Sequence, residues 1–337
     1  MSPEYSLSPR DLSTGSVDEE DLHLGAEVPE ALNGARFDVA CAKLFDQYSR
    51  ARLQAWIEAG RARVNGEVQT RTRAPVAAGD RLEVDAEPEE TTGVEAQDIP
   101  IEVVMADKAI AIINKPAGLT VHPGAGQRAA TLQNALLHHF PQTAAVPRAG
   151  IVHRLDKDTS GLLVVALTLK SHHKLVDELA RREFTREYDA IAQGEMIAGG
   201  TIDAPIGRHP RDRLKMAVVD DGRPAVTHYR VQERFAQHTH VRVRLETGRT
   251  HQIRVHLAHI RKPIVGDFAY GGPMRGAGLP VLLREKLKTF PRQALHAREL
   301  EVTHPTSGKR VGAVAEPPAD MQELLTLLRA HARGELK

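Results

Sequence analysis

Short apolar runs at 101–105, 110–114, 162–166, 188–193 and 241–245 have the length and residue choice of β-strands. Around them, apolar positions recur at helical spacing over 131–138, 171–182, 250–260 and 321–331. The two kinds of element do not alternate regularly, which argues against a doubly wound parallel sheet. An α+β domain over 99–330 is therefore expected, built on a large mixed, mainly antiparallel sheet. Upstream, 36–45 and 49–57 read as two amphipathic helices, the second capped by Ser49. Asn65-Gly66 in the stretch 62–68 is a hairpin signal, and Gly79-Asp80 precedes a further strand at 81–84. Together these predict a small α/β domain over 34–85. Residues 1–30 are poor in large apolar side chains and predict a disordered acidic tail; the Pro- and Glu-rich segment 86–98 predicts a linker.

Charge changes this picture more than length does. The formal net charge is only +1, but eight acids and one base fall in residues 1–30, and six acids with no base in 84–98. Outside those two stretches 30 acids face 44 bases, so the part expected to fold is strongly basic. A basic body between acidic segments suits a polyanion, because each neutralised phosphate releases a counterion. The single cysteine, Cys41, excludes a disulfide framework and a cysteine metal site. No apolar run approaches the roughly 20 residues that span a bilayer, and the N-terminus lacks a basic segment followed by an apolar one. No membrane association and a cytoplasmic location are the expectations.

The most informative chemistry lies at His153-Arg154-Leu155-Asp156-Lys157-Asp158-Thr159-Ser160-Gly161, which runs into the apolar segment 162–167. It sets one carboxylate, Asp156, in a polar turn expected between two short hydrophobic strands. An Asp in a turn is ordinarily an Asx-turn residue, and only its context suggests more. That context resembles the catalytic motif of the RluA-type RNA pseudouridine synthases, His-Arg-Leu-Asp followed by Thr-Ser-Gly, and implies that Asp156 is the essential residue.

Further segments match that family in order. Asn114-Lys115-Pro116-Ala117-Gly118 resembles the motif whose Lys-Pro pair supports the catalytic loop. Arg186-Glu187-Tyr188 resembles the position of the active-site tyrosine. Gly248-Arg249-Thr250-His251-Gln252-Ile253-Arg254 resembles the motif whose arginine pairs with the catalytic Asp and whose aliphatic residue packs under the base. The resemblance thus implies catalytic roles for Asp156, Tyr188 and Arg254. It implies a substrate site at Arg154, Ile253, Lys115, Pro116, Thr159, Gly161 and Arg249, with Arg154 filling the stack that a flipped uridine vacates. The block 34–85, with Ser49-Arg50-Ala51-Arg52 and Val64-Asn65-Gly66, is similar to an S4 RNA-binding domain. By that similarity Arg50, Arg52, Arg61 and Arg63 face RNA; residues 50–73 hold six arginines against Glu58 and Glu67.

The implied reaction breaks the N1 to C1′ bond of uridine, turns the base in place and joins C5 to C1′, with no cofactor. Asp156 could attack the sugar or act as a base at C2′; both remain open. The segments 205–210 and 224–229 resemble members that act on large-subunit ribosomal RNA. They imply that rRNA or its precursor particle as partner, at the inter-subunit-bridge stem-loop (helix 69), by a monomer. An isomerase for another rRNA or a transfer RNA, and a non-catalytic ribosome-assembly protein, are the alternatives. The acidic N-terminus and the stretch 275–290 do not match the family. A metal site at His251, His256 and His259 is disfavoured: on a helix the last two share a face, but His251 lies away from them and no acid joins at ligand spacing.

Overall fold

A computed structural model describes residues 23–45, 48, 50–85, 94–124, 127, 129–212, 214–271 and 278–336. Ser49, residues 1–22 of the expected tail and 86–93 of the expected linker lie outside them.

The small domain contains β1 (His23–Glu27), α1 (Phe37–Leu44), α2 (Arg50–Glu58), β2 (Ala62–Val64), β3 (Glu67–Val68) and β4 (Arg81–Asp85). Its sheet runs β1-β4-β2-β3. The strand β1 corrects the expected extent of the tail: residues 23–27 pair antiparallel with β4, so disorder is not their state. Alternation in β4 is what allows this, with Leu82 and Val84 packed against Phe37, Leu53 and Ile57. The hairpin forms at Asn65 and Gly66, with φ of 53° and 85°, the left-handed pair a two-residue loop requires. Buried Asp38 fastens α1 to α2, accepting from Arg36, Gln54 and Arg50, the last at 2.6 Å.

The large domain follows as β5 (Glu102–Ala106), β6 (Ile110–Lys115), α3 (Leu132–His139), β7 (Ser160–Ala166), α4 (Leu169–Ala180) and β8 (Thr185–Gln193). It continues through β9 (Gly200–Asp203), β10 (Ile206–Arg208), β11 (Met216–Val218), β12 (Val226–Arg234), β13 (His238–Leu245) and α5 (Gln252–His259). It closes with α6 (Val281–Lys288), β14 (Leu295–Thr303), β15 (Arg310–Val314) and α7 (Ala319–Ala332). A nine-stranded sheet orders β5-β6-β7-β14-β8-β13-β12-β9, with β15 also on β14. Among the strands of the described residues only β7 and β14 pair in parallel, through Ser160–His296 and Gly161–Ala297. The fold is therefore mixed α+β on a mainly antiparallel sheet.

The central strands are buried on both faces. Ile113, Leu163 and Val165 join the core under α3, α5 and α7, whereas Ile112, Leu162 and Val164 join a second core with Leu175 of α4. Each such buried aliphatic side chain contributes about 1.5–3 kcal/mol. Loops leaving this rigid platform at the start of β7 and the end of β13 carry the site.

Candidate active site

Asp156 lies four residues before β7 and is held from below. The fully buried Lys115, at the end of β6, donates through Nζ to the carbonyls of Pro116, Leu119 and Lys157 at 2.8, 2.9 and 3.0 Å. The last of these bonds fixes the backbone next to Asp156. Gly161 lets β7 reach β14: its φ is 114°, and a β-carbon there would stand 2.2 Å from the carbonyl oxygen of Ala297. Thr159 is pinned by Gln293, whose Nε2 donates to its hydroxyl at 3.1 Å. One expectation needs correction. No strand leads into the turn, because Ile151 makes only an isolated bridge to Val165 and the chain from 152 to 159 is loop.

The second wall is the β13–α5 connection. Gln252 ties it down, accepting from the Arg249 N–H at 2.9 Å and the Thr247 hydroxyl at 2.8 Å. His251 sits just before α5 with φ 56°, a strained left-handed position for a ring-bearing residue. From the first turns of α5, Ile253 and Arg254 reach the same space as Asp156. Arg254 donates from Nη1 to Asp156 Oδ2 at 2.9 Å, while Nε and Nη2 bond both oxygens of buried Asp267 at 2.7 and 2.9 Å. Burial alone would lower the pKa of this guanidinium, but the Asp267 and Asp156 carboxylates outweigh it and hold the cation charged. The Tyr270 ring lies 5.0 Å below the Arg254 guanidinium carbon. Its hydroxyl accepts from the Met216 N–H at 2.9 Å and stands 2.7 Å from His251 Nδ1.

Between these walls lies one cavity of about 440 Å³, lined by Arg154, Asp156, Thr159, Tyr188, Arg249, Ile253 and Arg254 among others. Tyr188 comes from β8 and is 6 % exposed. Burial pushes its phenol above the ordinary tyrosine range; Arg186 opposes this and Asp156 adds to it, so the hydroxyl keeps its proton at neutral pH. His251 Nε2 lies 3.8 Å from the other Asp156 oxygen, and burial depresses the imidazole pKa despite that carboxylate. The result is a carboxylate paired with a fixed cation, beside a protonated phenol and an aliphatic floor, in a pocket large enough for a nucleoside.

Not every expected residue is here. Lys115, Pro116 and Gly161 do not line the cavity; they shape the loop that carries Asp156. Nor do Arg50, Arg52, Arg61 and Arg63, which lie on the small domain. There Arg50 pairs with buried Asp38, Arg63 Nη1 bonds Asp85 at 2.5 Å, and Arg52 stacks 5.0 Å over Trp56. Arg50 and Arg63 thus have carboxylates of their own, so their charge is partly spent inside the domain. Sequence reasoning missed Asp267 and Tyr270, which follow Gly266 in a loop with no periodicity. His256 is committed to the Thr227 hydroxyl and the Ala204 carbonyl, and among the described residues no three His, Cys, Asp or Glu side chains could share a metal ion.

The family described as RNA pseudouridylate synthase matches residues 109–259, the span that contains Asp156, Tyr188 and Arg254. The chain is 55% identical over 312 residues to "Ribosomal large subunit pseudouridine synthase D" of Pseudomonas aeruginosa, covering 91% of this chain and 96% of that one. It is 53% identical over 305 residues to the protein of the same name from Xanthomonas campestris, covering 90% and 92%. Among solved structures, human RNA pseudouridylate synthase domain containing 4 superposes with a TM-score of 0.54 at 28% identity, over 68% of this chain and 93% of that one. With relatives this similar over nearly their whole length, the chain belongs to the RluA-type family of RNA pseudouridine synthases.

Proposed function

We propose that the protein converts uridine to pseudouridine in large-subunit ribosomal RNA, with Asp156 as the reacting carboxylate. The observation that carries this is the 2.9 Å bond from Arg254 Nη1 to Asp156 inside a cavity also lined by Tyr188. Breaking a glycosidic bond builds positive charge at C1′, and a nearby carboxylate stabilises it. Hydrolases use a second carboxylate to admit water. Here the partner of Asp156 is a guanidinium, which fixes the carboxylate in place without activating water. Attack on C1′ and removal of the C2′ proton would both use that same group. Ile253 supports the base from below while it turns, and Tyr188, still protonated, packs on it near C5. A stacked uridine cannot reach such a pocket, so it is flipped out, and exposed Arg154 at the rim takes the space it leaves.

The target follows from the relatives, which are named for the large ribosomal subunit. Within it, the family likeness favours the inter-subunit-bridge stem-loop, helix 69. The small domain serves as an S4-type RNA-binding module, supported by its two-helix, hairpin-containing architecture and its six arginines between residues 50 and 73. Carbodiimide-block primer extension on RNA from cells lacking the gene tests this. Loss of stops in helix 69, restored by the gene, is expected; loss only in a transfer RNA, or none at all, contradicts the target.

A further inference from the structure

Arg186 lies in β8 two positions before Tyr188, so the two side chains leave the strand on the same face and both line the cavity. Only 6 % of Arg186 is exposed, yet its Nε is buried without a hydrogen-bond partner, and among the described residues no carboxylate pairs with the guanidinium. Three other cavity cations are engaged. Arg254 holds two carboxylates, Arg249 Nε donates to the Pro224 carbonyl, and Arg182 faces Glu246 at 3.8 Å. Glu246, the other carboxylate of the wall, is taken at 2.6 Å by His228. Room is kept for the Arg186 head group by Gly248, where a β-carbon would come within 2.9 Å of Nη1. A buried cation without a counterion is strongly unfavourable unless a ligand supplies one. The phenol of Tyr188 cannot, since it stays protonated.

We infer that Arg186 binds a phosphate of the RNA backbone beside the flipped nucleotide, and so positions the ribose against Asp156. This rests on the RNA-modifying function proposed above. A phosphodiester is favoured over a uracil carbonyl because only the anion offsets the buried charge, and because its two free oxygens match the planar fork of a guanidinium. The cation-rich rim, with Arg148, Arg154, Arg182 and Arg249 on the same cavity, would guide such a strand in.

The test uses a stem-loop RNA carrying the mapped uridine, unmodified or with a single neutral methylphosphonate at either flanking phosphate, and the full-length protein. Wild-type turnover of the unmodified RNA checks the functional reading by itself. Given that turnover, one methylphosphonate should weaken wild-type binding by roughly tenfold or more, as expected for a charge-assisted contact. Arg186→Gln should lose a similar factor on unmodified RNA and nothing further on that methylphosphonate RNA, while Arg186→Lys recovers part of the loss. The melting temperature of Arg186→Gln should hold or rise, since an unpaired buried charge has been removed. Multiplying losses, a wild type indifferent to both methylphosphonates, or a marked drop in melting temperature with normal RNA affinity would each overturn the assignment. Should Arg186→Gln fail to fold, the wild-type response to the two neutral phosphates still decides against it if both are silent.

Discussion

Asp267 grips Arg254 from the side away from the cavity, with both carboxylate oxygens on Nε and Nη2, and leaves only Nη1 for Asp156. The fork geometry fixes the plane of the guanidinium, so the direction of the bond to Asp156 is set by a residue that does not line the cavity. Asp267→Asn should lower kcat by about 100-fold, the scale of an ångström-size misplacement in an active site, and leave KM within a few-fold. Wild-type kcat in that variant would show that Arg254 needs no such support.

Tyr188 gives a second split. Its phenol is protonated at neutral pH because burial raises the pKa. Tyr188→Phe keeps the ring that packs on the base and loses only the hydroxyl. Turnover should fall about 100-fold, the usual range for a positioned proton-transfer group, with RNA affinity nearly unchanged. Equal losses in binding and turnover would instead mark the hydroxyl as a substrate anchor.

His238 should make the fold sensitive to acid. The ring is 1 % exposed with neither nitrogen bonded, and burial pushes its pKa down to about 4. The folded value lies below the unfolded one of about 6.5, so the unfolded chain binds the extra proton between them. Stability from this group is complete above pH 6.5 and is lost as the pH falls toward 4. The loss is on the order of 3 kcal/mol. In His238→Leu, urea unfolding at pH 7 and pH 4.5 should differ less than in the wild type. An unchanged difference would mean that the histidine is not the source.

Gly161 ties catalysis to the sheet. Any side chain there meets the Ala297 backbone at 2.2 Å, at a φ of 114° that other residues rarely adopt. Gly161→Ala should destabilise by on the order of 4 kcal/mol and displace the loop carrying Asp156. Calorimetry showing a near-normal melting temperature would remove Gly161 from this role.

The site was legible in sequence where its residues sit in dense local patterns. Asp156, Tyr188 and Arg254 each fall in a short motif, that of Asp156 running into the apolar segment 162–167, and the five expected strands and four expected large-domain helices appear within a few residues of their observed ends. Asp267 was invisible because its role depends on a loop folding back beneath α5, which neither period nor spacing encodes. The strands β9 to β12, β14 and β15 and the helix α6 were missed. Most of these strands are short or half-exposed, and the pairing of all of them is set by neighbours far along the chain, as when Val226 faces Asp203. Charge counting found the arginine-rich helix but could not separate those that pair within the domain. Arg50 answers to Asp38, and that contact joins two helices whose relative placement only the packed core of Phe37, Leu53 and Ile57 decides.

Tritium release from C5-labelled large-subunit rRNA, measured for the wild type and for Asp156→Asn, bears most directly on the central claim. The substitution preserves shape and removes one charge, so release should vanish while rRNA binding stays within about tenfold, the range one altered charge contact allows. Tritium release by Asp156→Asn at a rate near that of the wild type would contradict a reacting carboxylate at this position.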